Sequence, residues 1–230
     1  MKIFGQPTDY SEILQRVFYT SVASGLVCTV LVAKASPAVQ NLIDCVSIEA
    51  DLVFLKGIKA LYVVIPLVIA TLSRMLKLHD RISDIFRIRH RFDTRYILFP
   101  LAKGAGLKLT KHLQKKIRSN RVNCMYHTFY PYTGFKTPVI DEQLVRTSAD
   151  NWGWFWVLIE SCFLFVLTGG ILGYLQRWNF LWICLIVALV EIILMLYMWF
   201  ACRRGASRQV EAILEDPIRK INISHHFQAL

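Results

Sequence analysis

The chain has 230 residues, 55% of them hydrophobic and 19% charged, with 27 Lys and Arg against 16 Asp and Glu for a formal net charge of +11. Mean hydropathy is +0.42, and the charged fraction falls short of the roughly 25% of ordinary globular domains. Such a composition excludes a disordered chain, which is poor in aliphatic and aromatic residues, and 11 Gly and 6 Cys exclude collagen and disulfide scaffolds. The apolar residues are bunched rather than periodic, which argues against a soluble enzyme.

Residues 1–16 hold Lys2, Pro7, Asp9, Glu12 and Arg16 and read as a cytoplasmic N-terminus. Two acids and a proline ahead of an apolar run do not make the basic start of a signal peptide. The run itself, 17–35, approaches the roughly 20 residues that a helix needs to cross the hydrocarbon core. Thr20, Ser21, Ser24, Gly25 and Thr29 dilute it, and such small and hydroxylated residues suit a helix packed on other helices rather than on lipid. An external loop at 36–57 opens with Ser36-Pro37, and its residues 41–55 are expected to form a short interfacial helix with Leu42, Ile43, Val46, Leu52 and Val53 as the apolar side. A second apolar run, 58–76, completes a hairpin over 17–76.

Residues 77–151 form the only soluble segment of any size, and about 75 residues is small for an independent core. Residues 79–93 place Ile82, Ile85, Phe86, Ile88 and Phe92 among arginines and read as the cytoplasmic continuation of the second helix. Pro100 and Gly104-Ala105-Gly106 divide the segment, and the apolar run 96–101 reads as a strand or a membrane-contacting turn. Residues 107–118 are amphipathic, with Leu109, Leu113 and Ile117 opposed by Lys108, Lys111, Lys115, Lys116 and Arg118. Such a basic helix is expected to lie on the inner leaflet or a partner. Beyond Asn120 the sequence reads as irregular.

The third and fourth apolar runs, 153–175 and 180–202, carry one acid each and form a second hairpin over 152–202. The turn between them, 176–179, is so short that the helices must be antiparallel neighbours. Trp152, Trp154 and Trp156 at one end and Trp178 and Trp182 at the other match the aromatic belts of the two interfaces. Residues 203–230 read as a cytoplasmic tail. All Lys and Arg except Lys34, Lys56, Lys59 and Arg177 fall in the two ends or between Arg74 and Arg146, so the positive-inside rule puts both termini and the middle segment in the cytoplasm. The fold class that follows is an all-α membrane protein: four transmembrane helices in two hairpins, with a basic, mainly helical cytoplasmic insert.

Catalytic and metal motifs are missing. No phosphate loop, Gly-x-Ser-x-Gly elbow or His-Glu-x-x-His occurs, so neither an enzyme nor a cofactor is expected. His79-Asp80 reads as an ordinary pair near a membrane exit. Cys124-x-x-His127 has metal-like spacing, but four ligands are needed for structural zinc, and His112 and His225-His226 are the nearest candidates; no metal is expected. The cysteines read as small hydrophobes.

Two sets of residues remain as functional candidates. The basic cytoplasmic surface is Arg87, Arg89, Arg91, Lys108, Lys111, Lys115, Lys116 and Arg118. It suits anionic lipid, nucleic acid with Tyr126, Phe129, Tyr130 and Tyr132 as stacking groups, or plain solvation. The intramembrane acids are Glu160, about 10 Å along the third helix from residue 153, and Glu191, about 16 Å from the inner end of the fourth. A charge at the bilayer centre costs about 3 kcal/mol on insertion scales and usually faces a bundle interior or a wet cavity. Glu191 is therefore either protonated and bonded to a neighbouring helix or wetted in an oligomeric pore.

Asp80-Arg81-Ile82-Ser83-Asp84-Ile85-Phe86 and then Arg89-His90-Arg91-Phe92-Asp93, in a basic chain of two hairpins with a helical insert, resemble the small membrane components of bacterial antiphage systems. These are the four-helix membrane protein of Kiwa-type systems and the membrane effectors of retron and cyclic-oligonucleotide systems. The resemblance covers organisation and carries over no residue. It implies a bacterial inner-membrane sensor or effector that works as a homo-oligomer to depolarise the membrane or to recruit a cytosolic protein partner. The alternatives are a non-conducting scaffold or accessory subunit, and a small ion channel outside defence.

Overall fold

A computed structural model describes residues 6–46, 60–135 and 138–230, with the side chain of Val46 left aside. No strand occurs among the described residues; the regular elements are helices. Three of them are long and apolar enough to cross a membrane.

The chain divides into two compact units, of which the second comprises Leu14–His79 and Gly153–Tyr197. Helix α1 (Tyr10–Ala35) begins earlier than the apolar run, because Asp9 accepts the backbone N–H of Glu12 at 2.9 Å and caps it. Pro37 opens α2 (Pro37–Val46), as a proline does at a first helical turn. It covers the start of the expected interfacial helix, and Leu52 and Val53 lie outside the described residues. Helix α3 (Ala60–Met75) carries Pro66 inside it. Helix α4 (Leu78–Ile85) does not continue α3 straight, as the sequence suggests. The two are bent by 56° at Lys77, which takes a left-handed φ of 48°. Taken together, α3 and α4 are long and apolar enough for one broken span.

Helices α10 (Glu142–Tyr174) and α11 (Trp178–Leu214) have 33 and 37 residues, about 50 and 56 Å at 1.5 Å per residue. Both outrun the roughly 30 Å hydrocarbon core. Gln176, with φ of 56°, closes α10: Arg177 N–H bonds the Leu172 carbonyl and Gln176 N–H the Gly173 carbonyl, the paired bonds of a Schellman ending. Cys162 reaches the Ala188 carbonyl at 3.9 Å and Gly169 faces Leu181 and Cys184, so the two helices run antiparallel. The core of this unit is Cys28, Ala35, Cys162, Phe165, Leu172, Cys184 and Ala188.

The first unit comprises Met1–Ile13, Asp80–Trp152 and Met198–Leu230. Helix α5 (Ile88–Phe92) runs into a π-helical segment at Asp93–Leu98 and then α6 (Phe99–Gly104). The run 96–101 is thus neither strand nor membrane turn, and Ile97, Leu98 and Leu101 are buried. Pro100 sits in the first turn of α6, where its missing N–H costs nothing. Gly106, with φ of 87°, ends that helix. Thr110 caps α7 (Lys111–Ser119). The residues beyond Asn120 are not irregular: they form α8 (Arg121–Thr128) and α9 (Tyr130–Thr133). The expected tail, 203–230, is helical: α11 runs on to Leu214, Asp216 caps α12 (Pro217–Gln228), and Ile213, Ile223 and Phe227 are all buried. A segment too small for its own core obtains one by sharing it with the C-terminal helices. Phe92 is the hub, 4.5 Å from Trp152 and 5.2 Å from Trp199.

Candidate functional site

The second unit contains a buried polar cluster centred on Glu160, which is 3% exposed. Ser21 of α1 and Ser73 of α3 each donate a hydroxyl to Glu160 Oε2, at 3.0 Å. Nδ1 of His79, the second residue of α4, stands 3.5 Å from Oε1, and its ring lies 6.2 Å from that of Trp156. Both oxygens of one carboxylate therefore meet polar groups from three other helices. The 56° bend is what brings His79 here: a straight continuation of α3 would carry it along the axis. Close by in sequence, the Arg16 guanidinium lies over the Trp154 ring at 4.9 Å, a cation–π contact. Ser21, His79 and Arg16 are all buried.

One residue further along α10, Ser161 faces a second group. Its hydroxyl is 2.7 Å from that of Ser24 and donates to Oε1 of Glu191 in a short bond. Glu191 is half-buried, and its Oε2 is buried with no hydrogen-bond partner among the described residues. Glu191 thus stands against Ser161, the residue next to Glu160 on α10. Sequence reasoning assigned Ser21 and Ser24 to helix packing and His79 to an ordinary pair with Asp80 near a membrane exit. Their signal was the spacing of Ser21, Ser24 and Cys28 on one face of α1, with Ser73 and His79 flanking the break in the second span.

The basic residues of the first unit do not converge on one site in the same way. Arg89 is bonded to Asp80 at 2.9 Å, and Arg118 lies over the Phe99 ring at 5.5 Å. Arg87, Arg91, Lys108, Lys111 and Lys115 are exposed and Lys116 half-buried. Ile117, the last residue of the expected apolar stripe, has 0% exposure and is used inside the unit, where α7 packs on α8 and on the π-helical segment. Of the four candidate stacking aromatics, Tyr126 and Tyr130 are exposed, Phe129 is buried and Tyr132 lies under Arg219. Burial, and then the charges of Arg121, Arg87 and Arg118, lower the pKa of His90. His226 of α12 packs on His127 of α8 with ring centroids 5.1 Å apart, yet among the described residues no three His, Cys, Asp or Glu are grouped to hold a metal ion.

Neither a curated protein nor a solved structure matches the chain. A family model does match, over residues 9–223, and it is that of the YmfE protein family. The matched region takes in α1, the Glu160 cluster, the whole basic segment and half of α12, so the chain belongs to the YmfE protein family.

Proposed function

We propose that this chain is a four-span inner-membrane protein, with both termini and the basic segment in the cytoplasm, that depolarises the membrane as an oligomer. The observation that carries the reading is the Glu160 cluster. A buried acid held by serines and a histidine from three other helices is expensive in a bilayer, and ionisable groups facing a bundle interior mark ion paths and proton relays. Three long apolar helices and the bent α3–α4 pair supply the four spans, in two hairpins. Only 11% of the most apolar stretch of α11 is buried within the chain, against 61% for α10, which leaves a broad surface for lipid and for further copies. Glu191 sits on that helix, turned inward to Ser161, and stands at the outer end of the polar groups. The antiphage setting comes from the resemblance alone. A neighbouring gene for a reverse transcriptase, a nucleotidyltransferase or a DNA-binding protein supports it, and a metabolic operon removes it.

The test is an imposed potential across vesicles that hold the purified protein, followed with a potential-sensitive dye. Wild type collapses the potential and Glu160→Gln, which keeps a hydrogen-bonding side chain and removes the charge, does not, although it folds. Vesicles that keep their potential with the wild-type protein overturn the reading and favour the non-conducting scaffold.

A further inference from the structure

The polar residues of the second unit fall into two hydrogen-bonded groups. One is His79, Glu160, Ser21 and Ser73; the other is Ser24, Ser161 and Glu191. A hydroxyl has a single proton to donate. While Ser161 donates to Glu191, its 2.7 Å bond with Ser24 must therefore be one that Ser24 donates. A proton on Glu191 reverses both: Glu191 donates to Ser161, and Ser161 to Ser24. The three groups thus have two bonding states that differ by one proton. The gap between the groups is Ser21 to Ser24 on one face of α1, about 4.5 Å of helical rise, the span of one water hydrogen-bonded at each end.

These groups are closely packed. Ser21, Glu160 and Ser161 are 3%, 3% and 5% exposed, and hydroxyls 2.7 Å apart admit no hydrated metal cation. We propose that Glu191, Ser161, Ser24, a bridging water, Ser21, Glu160 and His79 form a proton relay, so that the charge this protein moves is the proton. This rests on the depolarising reading above and names its ion. In one passage Glu191 takes a proton from outer water and gives one to Ser161. Each hydroxyl and the water release their own proton as they accept another, Glu160 receives the last on Oε2, its carboxyl turns to present that proton to Nδ1 of His79, and His79 releases one to cytoplasmic water. Every step breaks one O–H or N–H bond as it forms the next. No electron changes hands, and the sum is one H⁺ carried across.

The experiment uses the full chain in vesicles with a trapped pH dye and an imposed potential, with Na⁺ and K⁺ replaced by a bulky organic cation. The expected result is undiminished dissipation accompanied by a pH change inside. Ser161→Ala and Ser24→Ala, on two different helices, are expected to lose most of that flux while eluting and showing helical dichroism as wild type does, and Ser161→Thr to restore it. Dissipation that needs alkali cations, or wild-type proton flux in folded Ser161→Ala or Ser24→Ala, overturns the relay and leaves the depolarising reading standing. A wild-type protein that dissipates no potential in any salt overturns both.

Discussion

Asp93 sits at the start of the π-helical segment, 5% exposed and bonded to Arg121. Burial outweighs the pull of Arg121 and raises its pKa from 3.8 to about 6. The folded state then binds this proton more tightly than the unfolded chain does. Its stability is therefore greatest below the unfolded value and falls as pH rises through about 6, by roughly 3 kcal/mol at most. Asp93→Asn is expected to flatten the fall, read as melting temperature in detergent across that range. Arg121→Ala leaves the buried carboxylate uncompensated, and a loss of about 3–5 kcal/mol is expected; a melting temperature equal to wild type would contradict the buried pair. At this scale the sequence spoke unevenly. Glu160 and Glu191 announce themselves, because an acid inside a twenty-residue apolar run has few explanations. His79 does not, since its partner lies 81 positions away and only the bend at Lys77 joins them. Asp93 looks like one charge among many, and its partner Arg121 stands 28 positions on.

The pairing of α1 with α3 rests on Gly25, which faces Pro66: a Cβ added at Gly25 would lie 3.3 Å from the Pro66 Cβ and 3.4 Å from its Cα. A proline ring cannot turn away as a flexible side chain can. Gly25→Ala is expected to be nearly tolerated, because the helices need give only a few tenths of an ångström. Gly25→Leu overpacks the contact, at about 1–3 kcal/mol, and should separate Ser21 from Glu160; a Gly25→Leu protein with wild-type melting and flux would contradict this packing. Small residues at close helix approaches are how membrane helices associate, and this one was legible as dilution of the first apolar run. The helices of the first unit were less legible. Tyr96–Leu101 is apolar and short, so periodicity could not separate strand from helix, and the π-helical turn carries no local signature. Residues 203–230 looked like a tail because their apolar positions, Ile213, Ile223 and Phe227, acquire meaning only against α6 and α8.

For the whole molecule, the proposed topology puts α2 outside and the basic segment inside. Cys45 is exposed and Cys124 has 0% exposure, so the inner reporter is a cysteine introduced at exposed Asn123. A charged maleimide is expected to reach Cys45 in intact cells and Asn123→Cys only after permeabilisation; labelling of the latter in intact cells would invert the topology. The mass of the detergent-solubilised protein bears on assembly, with a lone monomer contradicting the oligomer. The central claim, that the Glu160 cluster carries charge across the membrane, is reached most directly by the potential-sensitive dye in vesicles that hold the purified protein. A potential that wild type collapses and folded Glu160→Gln keeps is the predicted result. A potential that folded Glu160→Gln collapses as fast as wild type does would contradict it.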